Sequence, residues 1–316
     1  MEKYLINLID KMLEKSDRDT VRISSETISW KALREAEKID NESYIQQLIE
    51  FIETEKNKEK RDSAYFVLGH IAKNIKNEEA TNFLIQRIEK EKDKYVISSL
   101  LERIQYLEKS EKIDISPIIN ATKSSNWNIR QSAISALSNS KSSLAENVLL
   151  DIINNSDDEY NLFYANRSLS SVGTRKSIPS LQKLLDHKKQ DVSGTALNAI
   201  LEISNQTDLP IFIEQLQKGK NKFTALLGVI KYGNSLVIPN IIKRVKELVA
   251  KKRTIQVIGT KQKTEIIFAM EFLSEYAKEN ELIIKTYELL TTTKNDFLWL
   301  NEQEWLTENA VKFARN

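Results

Sequence analysis

The chain has 316 residues, no cysteine, only 7 Gly and 4 Pro, and a net charge of +2 with 41% hydrophobic and 29% charged residues. The missing cysteine excludes disulfides, thiolate nucleophiles and Cys-ligated zinc, and so few turn-forming residues leave little material for a β protein, so a mostly helical fold is expected. The small total charge conceals a division, net −4 over residues 1–172, +11 over 173–263 and −5 over 264–316, and such asymmetry bears on what the protein binds.

The first fifteen residues, MEKYLINLIDKMLEK, are amphipathic with acids and lysines interleaved. A secretory signal needs an uninterrupted apolar core, and apolar runs such as VIPNII are far too short to span a bilayer. A cytoplasmic address with no membrane contact is expected. A second amphipathic pattern, SETISWKALREAEKI, follows the polar stretch SDRDTVRISS, so residues 1–40 read as an N-terminal helical cap.

From residue 41 a block recurs. It reads RDSAYFVLGHIA from Arg61, KYVISSLLERI from Lys94, NIRQSAISAL from Asn128, EYNLFYANRSLSSVG from Glu159 and DVSGTALNAILEI from Asp191. With Ala64, Ser98, Ala133, Ala165 and Ala196 taken as equivalent, the spacings are 34, 35, 32 and 31 residues, a period that marks stacked supersecondary units. Each block is the second, or B, helix of a unit. Before it lies an A helix with one apolar stripe, as in YIQQLIEFI, ATNFLIQRI, LAENVLLDII and LPIFIEQL. Pro117, Pro179, Pro210 and Pro239 fall at or near A-helix starts, where a missing N–H is harmless and a fixed φ is favourable. The small residue in mid B helix lets two axes approach closely.

In these prolines, in loop acids Asp157 and Asp191, in Arg61 and Arg130 at B-helix starts and in the mid-helix alanines, the chain resembles the HEAT-repeat family, particularly its short variants of roughly thirty residues in bacterial scaffold and lyase-type proteins. The resemblance covers about residues 40 to 235. It implies an all-α fold, a right-handed α-α superhelix or HEAT-like solenoid of stacked antiparallel helix pairs. Ser98 and Ser99 in place of the expected Ala, and Gly194 early in one B helix, depart from the pattern. Residues 41–236 are thus read as short repeats and 237–316 as a longer helical repeat and cap, with an inserted loop at 253–263, the whole forming one continuous solenoid. Within that loop RTIQVIG alternates β-formers before Gly259 and reads as an extended excursion.

Every A-to-B loop of such a stack falls on one edge, so Lys188, Lys189, Lys218, Lys220, Lys222, Lys251, Lys252, Arg253, Lys261 and Lys263 are expected to line up as one basic ridge. The plain alternative is that these are ordinary solvated loop lysines. Trp127, in SSNWNIR, either closes its loop over the repeat interface or stands free to stack on a partner. Trp299 and Trp305 read as cap residues. His70 and His187 sit in different units without an i+4 His or HExxH context, and no phosphate-binding or nucleophile-elbow glycine motif occurs. The segment SSNWNIRQSAISAL also resembles the Trp-then-Arg helix opening of the alkylation-repair DNA glycosylases built from HEAT-like repeats, which implies a nucleic-acid-binding or glycosylase alternative. The expectation that emerges is a non-enzymatic scaffold without cofactor or metal that binds a macromolecule. A protein is the first choice of partner and a nucleic acid the second.

Overall fold

The computed structural model describes residues 1–15, 23–252 and 263–314, so the expected excursion RTIQVIG, together with Arg253 and Lys261, lies outside the described residues. Among those described the fold is all-α, with no strand and one isolated bridge pairing Lys109 with Ser140. Two compact units divide the chain, Met1–Gln182 and Lys183–Asn316. No helix among the described residues is long and apolar enough to cross a membrane.

The first unit opens with α1 (Lys3–Met12) and α2 (Ile28–Ala36), which pack on each other. Antiparallel pairs follow: α3 (Tyr44–Thr54) with α4 (Lys58–Ile75), α5 (Glu78–Lys90) with α6 (Lys94–Ile104), α7 (Ser116–Ala121) with α8 (Trp127–Ala136), and α9 (Ser143–Asn155) with α10 (Glu159–Val172). A short helix, α11 (Ile178–Gln182), ends the unit against α9. B helices α4, α6, α8 and α10 pack side by side in one layer. The second unit holds α12 (Gln190–Ile203), α13 (Leu209–Lys218) paired with α14 (Lys222–Tyr232), and α15 (Ile238–Leu248) paired with α16 (Glu265–Ser274), and closes with α17 (Glu281–Thr291) and α18 (Leu300–Glu308). There α12, α14 and α16 form the B layer. Trp299 and Trp305 are half-buried in the terminal segment around α18, as cap residues should be.

The sequence signals have physical counterparts. Ala64, Ala133, Ala165 and Ala196 are fully buried, so the mid-helix position is where neighbouring axes meet. Ser98 departs from alanine because its hydroxyl meets that of Ser132, 2.8 Å away on the next B helix, a buried polar pair satisfied across the repeat boundary. Gly194 faces Asn221, whose Oδ1 would lie 3.1 Å from an added Cβ, and the Asn221 amide donates to the Ser193 hydroxyl at 3.0 Å. At Gly228 the buried Phe212 ring lies where a Cβ would stand. The four prolines sit in the first turns of α7, α11, α13 and α15. Short 3₁₀ turns lead into three of these helices, capped by the side chains of Thr174, Asn205 and Asn234.

Arg61 and Arg130 repay their placement at B-helix starts by reading two loops at once. Arg61 donates from one nitrogen to the carbonyls of Glu55 and Lys56 and from two others to the Glu91 carboxylate at 3.0 and 2.7 Å. Burial opposes ionisation of Glu91, but the Arg61 hydrogen bonds outweigh it and hold the carboxyl below its ordinary range. Arg130 repeats the arrangement with the Ser124 carbonyl, Asn161 and Asp158. A bidentate guanidinium is suited to this double task because its donors form a fixed fork.

Lys109 is a surprise, because a lysine in YLEKSEKID reads as solvated. Its side chain is fully buried and donates to the carbonyls of Ile104 at 2.9 Å and Leu107 at 2.7 Å, while its backbone pairs with Asn139 and Lys141. The ammonium thus caps carbonyls at and just beyond the C-terminus of α6. Burial pushes its pKa down to about 7.

Two measurements check this packing. Ala165→Leu or Ala196→Leu should overfill a sealed site and lower stability by about 1–3 kcal/mol, visible as a drop in the denaturant midpoint. For Lys109, the unfolded chain holds a proton between about pH 7 and 10.5 that the folded protein does not. Stability should therefore rise with pH across that window and carry the full penalty of a buried ammonium below it. Urea unfolding at pH 7 and pH 9.5 should show that increment in the natural protein and a smaller one in Lys109→Met.

Candidate functional site

The described lysines of the expected ridge belong to three connections of the second unit. Lys188 and Lys189 precede α12, Lys218, Lys220 and Lys222 bracket the α13–α14 connection, and Lys251, Lys252 and Lys263 belong to the α15–α16 connection. All three are A-to-B connections into B helices that lie side by side. Contacts between successive connections hold them in register, Asn221 to Ser193 and Lys222 to Glu247, and Arg244 ties α15 to α16 through Glu265 at 2.7 Å.

The lysines are not equivalent. Lys222 is half-buried and bound to Glu247 at 2.8 Å, and Glu247 also receives Arg244 at 3.2 Å. Burial disfavours the charged Glu247, yet hydrogen bonds from Lys222 and Arg244 still pull its carboxyl below the ordinary range. Its place on the free ridge is therefore corrected: the Lys222 charge is spent inside the fold. Lys263 pairs with Glu271 at 2.7 Å and covers the Phe268 ring. Lys218 meets Glu214 of its own helix at 3.6 Å, a loose surface contact of little energetic weight. Lys188, Lys220, Lys251 and Lys252 are exposed and make no ion pair among the described residues. Lys189 is exposed beside them, its N–H donating to His187 Nδ1.

Trp127 stands free. It is the first residue of α8, 63% exposed, so it does not close its loop over the repeat interface. The neighbouring Asn126 caps the helix and leaves the indole pointing away from the core. In the Trp-then-Arg opening, Arg130 is engaged in the same two-loop clamp as Arg61, which has no tryptophan before it. Repeat packing accounts for the arginine of that opening.

The two histidines belong to different units. His70 lies half-buried against Phe66, ring centroids 4.5 Å apart, and burial pushes its imidazole below the ordinary value. It lines an open cleft of about 440 Å³ with Lys73, Arg103 and Tyr106. There Arg103 is bound to Asp62 and lies over Phe66, and Lys73 lies over Tyr106. His187 is in the connection before α12. No group of three or more His, Cys, Asp or Glu that would hold a metal ion occurs among the described residues.

No protein-family model matches the chain, and no curated protein matches it. Among solved structures it is similar to YibA of E. coli, with 16% identity over 94% of this chain and 99% of that one and a TM-score of 0.51. It is also similar to Kap121p, solved bound to Pho4p, with 11% identity, a TM-score of 0.54, and coverage of 98% of this chain but 40% of Kap121p. The chain has a HEAT-like helical-repeat fold. At such identities the likeness concerns the fold and leaves the surface chemistry to this chain's own residues.

The division among the lysines is open to measurement. Lys222→Ala leaves Glu247 with Arg244 alone and should lower the melting temperature, whereas Lys220→Ala should leave stability within about 0.5 kcal/mol of the natural protein.

Proposed function

We propose that the protein is a non-enzymatic scaffold that binds a protein partner, and that the lysine edge of the second unit receives an acidic face or segment of that partner. The observation that carries the reading is the set of exposed lysines without ion pairs, Lys188, Lys220, Lys251 and Lys252, on successive A-to-B connections. Like charges held close repel one another, and an anionic partner relieves that repulsion. Lys189 and Lys218 flank the set, and Arg253 and Lys261 fall in the same connection by sequence. The fold supports the reading, since stacked helix pairs offer extended surfaces rather than enclosed cavities, and Kap121p, which shares it, is bound to Pho4p in its structure. The same lysines favour a nucleic-acid backbone as the second reading.

A triple charge reversal, Lys188→Glu with Lys220→Glu and Lys252→Glu, separates these outcomes without touching the Lys222–Glu247 pair. Binding is read by affinity isolation from the native cell extract, and in parallel with a poly-glutamate peptide and with duplex and single-stranded DNA over a salt series. The expected result is a stable fold, loss of the isolated protein partner and of poly-glutamate binding, and no DNA binding at physiological salt. A steep loss of DNA affinity with added salt that flattens in the variant gives the site to nucleic acid. Undiminished binding of every ligand by the variant refutes the edge as a site.

A further inference from the structure

Three aromatic side chains of the first unit are largely exposed: Tyr95, Trp127 and Tyr160 are 65%, 63% and 59% exposed. They occupy the first turn of three B helices that pack consecutively, α6, α8 and α10. Asp93, Asn126 and Asp158 cap those helices through first-turn N–H groups. The caps hold the start of each helix in one geometry, with Tyr95 and Tyr160 at the second helical position and Trp127 at the first, so the three rings fall in the same turn of successive helices. Inter-repeat contacts fix the neighbourhood, with Asp93 binding Lys58 at 2.8 Å and Asp158 binding Arg130 at 3.2 Å.

The fold does not require these rings. At the second helical position, where α6 and α10 carry tyrosine, α4 has Glu59 and α12 has Asp191. The corresponding Phe223 of α14 turns onto Phe268, ring centroids 5.8 Å apart. Neither the Tyr95 nor the Tyr160 hydroxyl has a hydrogen-bond partner among the described residues. Contiguous exposed aromatic surface that the fold does not use marks an interaction site.

Spacing and charge identify the occupant. Adjacent packed helices lie about 8–10 Å apart, and a polyproline II strand advances about 9 Å every three residues. One face of such a strand therefore meets one ring per turn, and aromatic rims are the usual docking surface for it. The row is also polar along its length. Lys92, Lys94 and Lys123 are exposed around Tyr95 and Trp127, with the Lys94 ammonium 5.0 Å from the Tyr95 ring centre, whereas Asp157 is exposed beside Tyr160. Glu91 and Asp93, the acids next to those lysines, are engaged with Arg61 and Lys58. We infer that the Tyr95–Trp127–Tyr160 row docks an extended proline-rich segment of a protein partner, acidic where it meets Tyr95 and Trp127 and basic where it meets Tyr160. This surface is separate from the lysine edge of the second unit, so the two stand or fall independently.

The probe is a fluorescein-labelled peptide of nine prolines with three glutamates at one end and two lysines at the other, titrated by anisotropy against the full chain. The control peptide replaces the prolines by alternating Gly and Ser. The natural protein should bind the proline peptide at least tenfold more tightly than the control. Trp127→Ala, and Tyr95→Ala with Tyr160→Ala, should each weaken it by about tenfold or more, and Trp127→Phe should restore most of the affinity. Lys92→Glu with Lys94→Glu should weaken binding of the same peptide, and the lysine-edge triple variant should bind it normally. Circular dichroism verifies that each variant is folded. Equal binding of the two peptides, no effect of the aromatic substitutions, tighter binding of a fifteen-base thymidine strand than of the proline peptide, or no binding at 1 mM each overturns the inference.

Discussion

Helices of 10 to 14 residues, such as α6, α8, α10 and α12, are marginal when isolated in water, because nucleation is unfavourable and few hydrogen bonds repay it. They persist here because each B helix lies closely against the next, which demands a small residue where the axes meet. Ala133 and Ala165 fill that place with no exposed surface. The same close approach has a second effect. Helices that must lie side by side bring their first turns, and the connections leading into them, onto one edge. The arginine clamps then fix that edge, since Arg61 and Arg130 bind carbonyls of their own connection and acids of the following one. Core packing thus places the surface groups.

The elements governed by local rules were legible from the chain. The apolar stripes, the proline-started A helices and the buried alanines depend on residues three to seven apart, and the structure has them where the pattern puts them. Groups whose environment is built by the next repeat were not. The Glu247 that neutralises Lys222 lies 25 residues further on, so counting charges along the sequence overstates the free ridge. Lys109 is sealed by a backbone pairing with the segment around Ser140, which no local pattern announces. Trp127 is undecided by sequence between closing its loop and standing free, and the deciding fact is its exposure at the first turn of α8. A signal was available in part. Tyr95 and Tyr160 share a position after an acidic cap in two units, and comparing those units position by position, rather than the mid-helix residues alone, would have exposed the row.

The two edges differ in how they handle charge. In the first unit, ion pairs cross from one connection to the next: Lys58 with Asp93, Arg61 with Glu91, Arg130 with Asp158. Cations and acids are matched in these pairs, and the helix openings expose aromatic rings beside lysines. The second unit uses Glu247 and Glu265 to hold Lys222 and Arg244, and the acids run out before the lysines do. Between residues 173 and 263 the sequence has 17 Lys and Arg against 6 Asp and Glu, so the surplus is written into composition rather than created by folding.

A surplus of that kind disfavours the folded state slightly, because folding gathers like charges that the unfolded chain keeps apart. Salt screens the repulsion over about 8–10 Å, which is close to the distance between adjacent helices, so successive connections still sense one another at physiological ionic strength. The first unit shows that this scaffold has room for neutralising acids at equivalent places, since Asp93 and Asp158 occupy them without disturbing the stack. At the corresponding cap of α12 the residue is Lys189. Replacing an acid that both caps a helix and balances a cation by a lysine that does neither works against local stability twice over. Departures from local rules concentrate where binding imposes its own requirement, and on this chain they concentrate on the A-to-B edges. The helix faces between them obey the packing rules almost without exception.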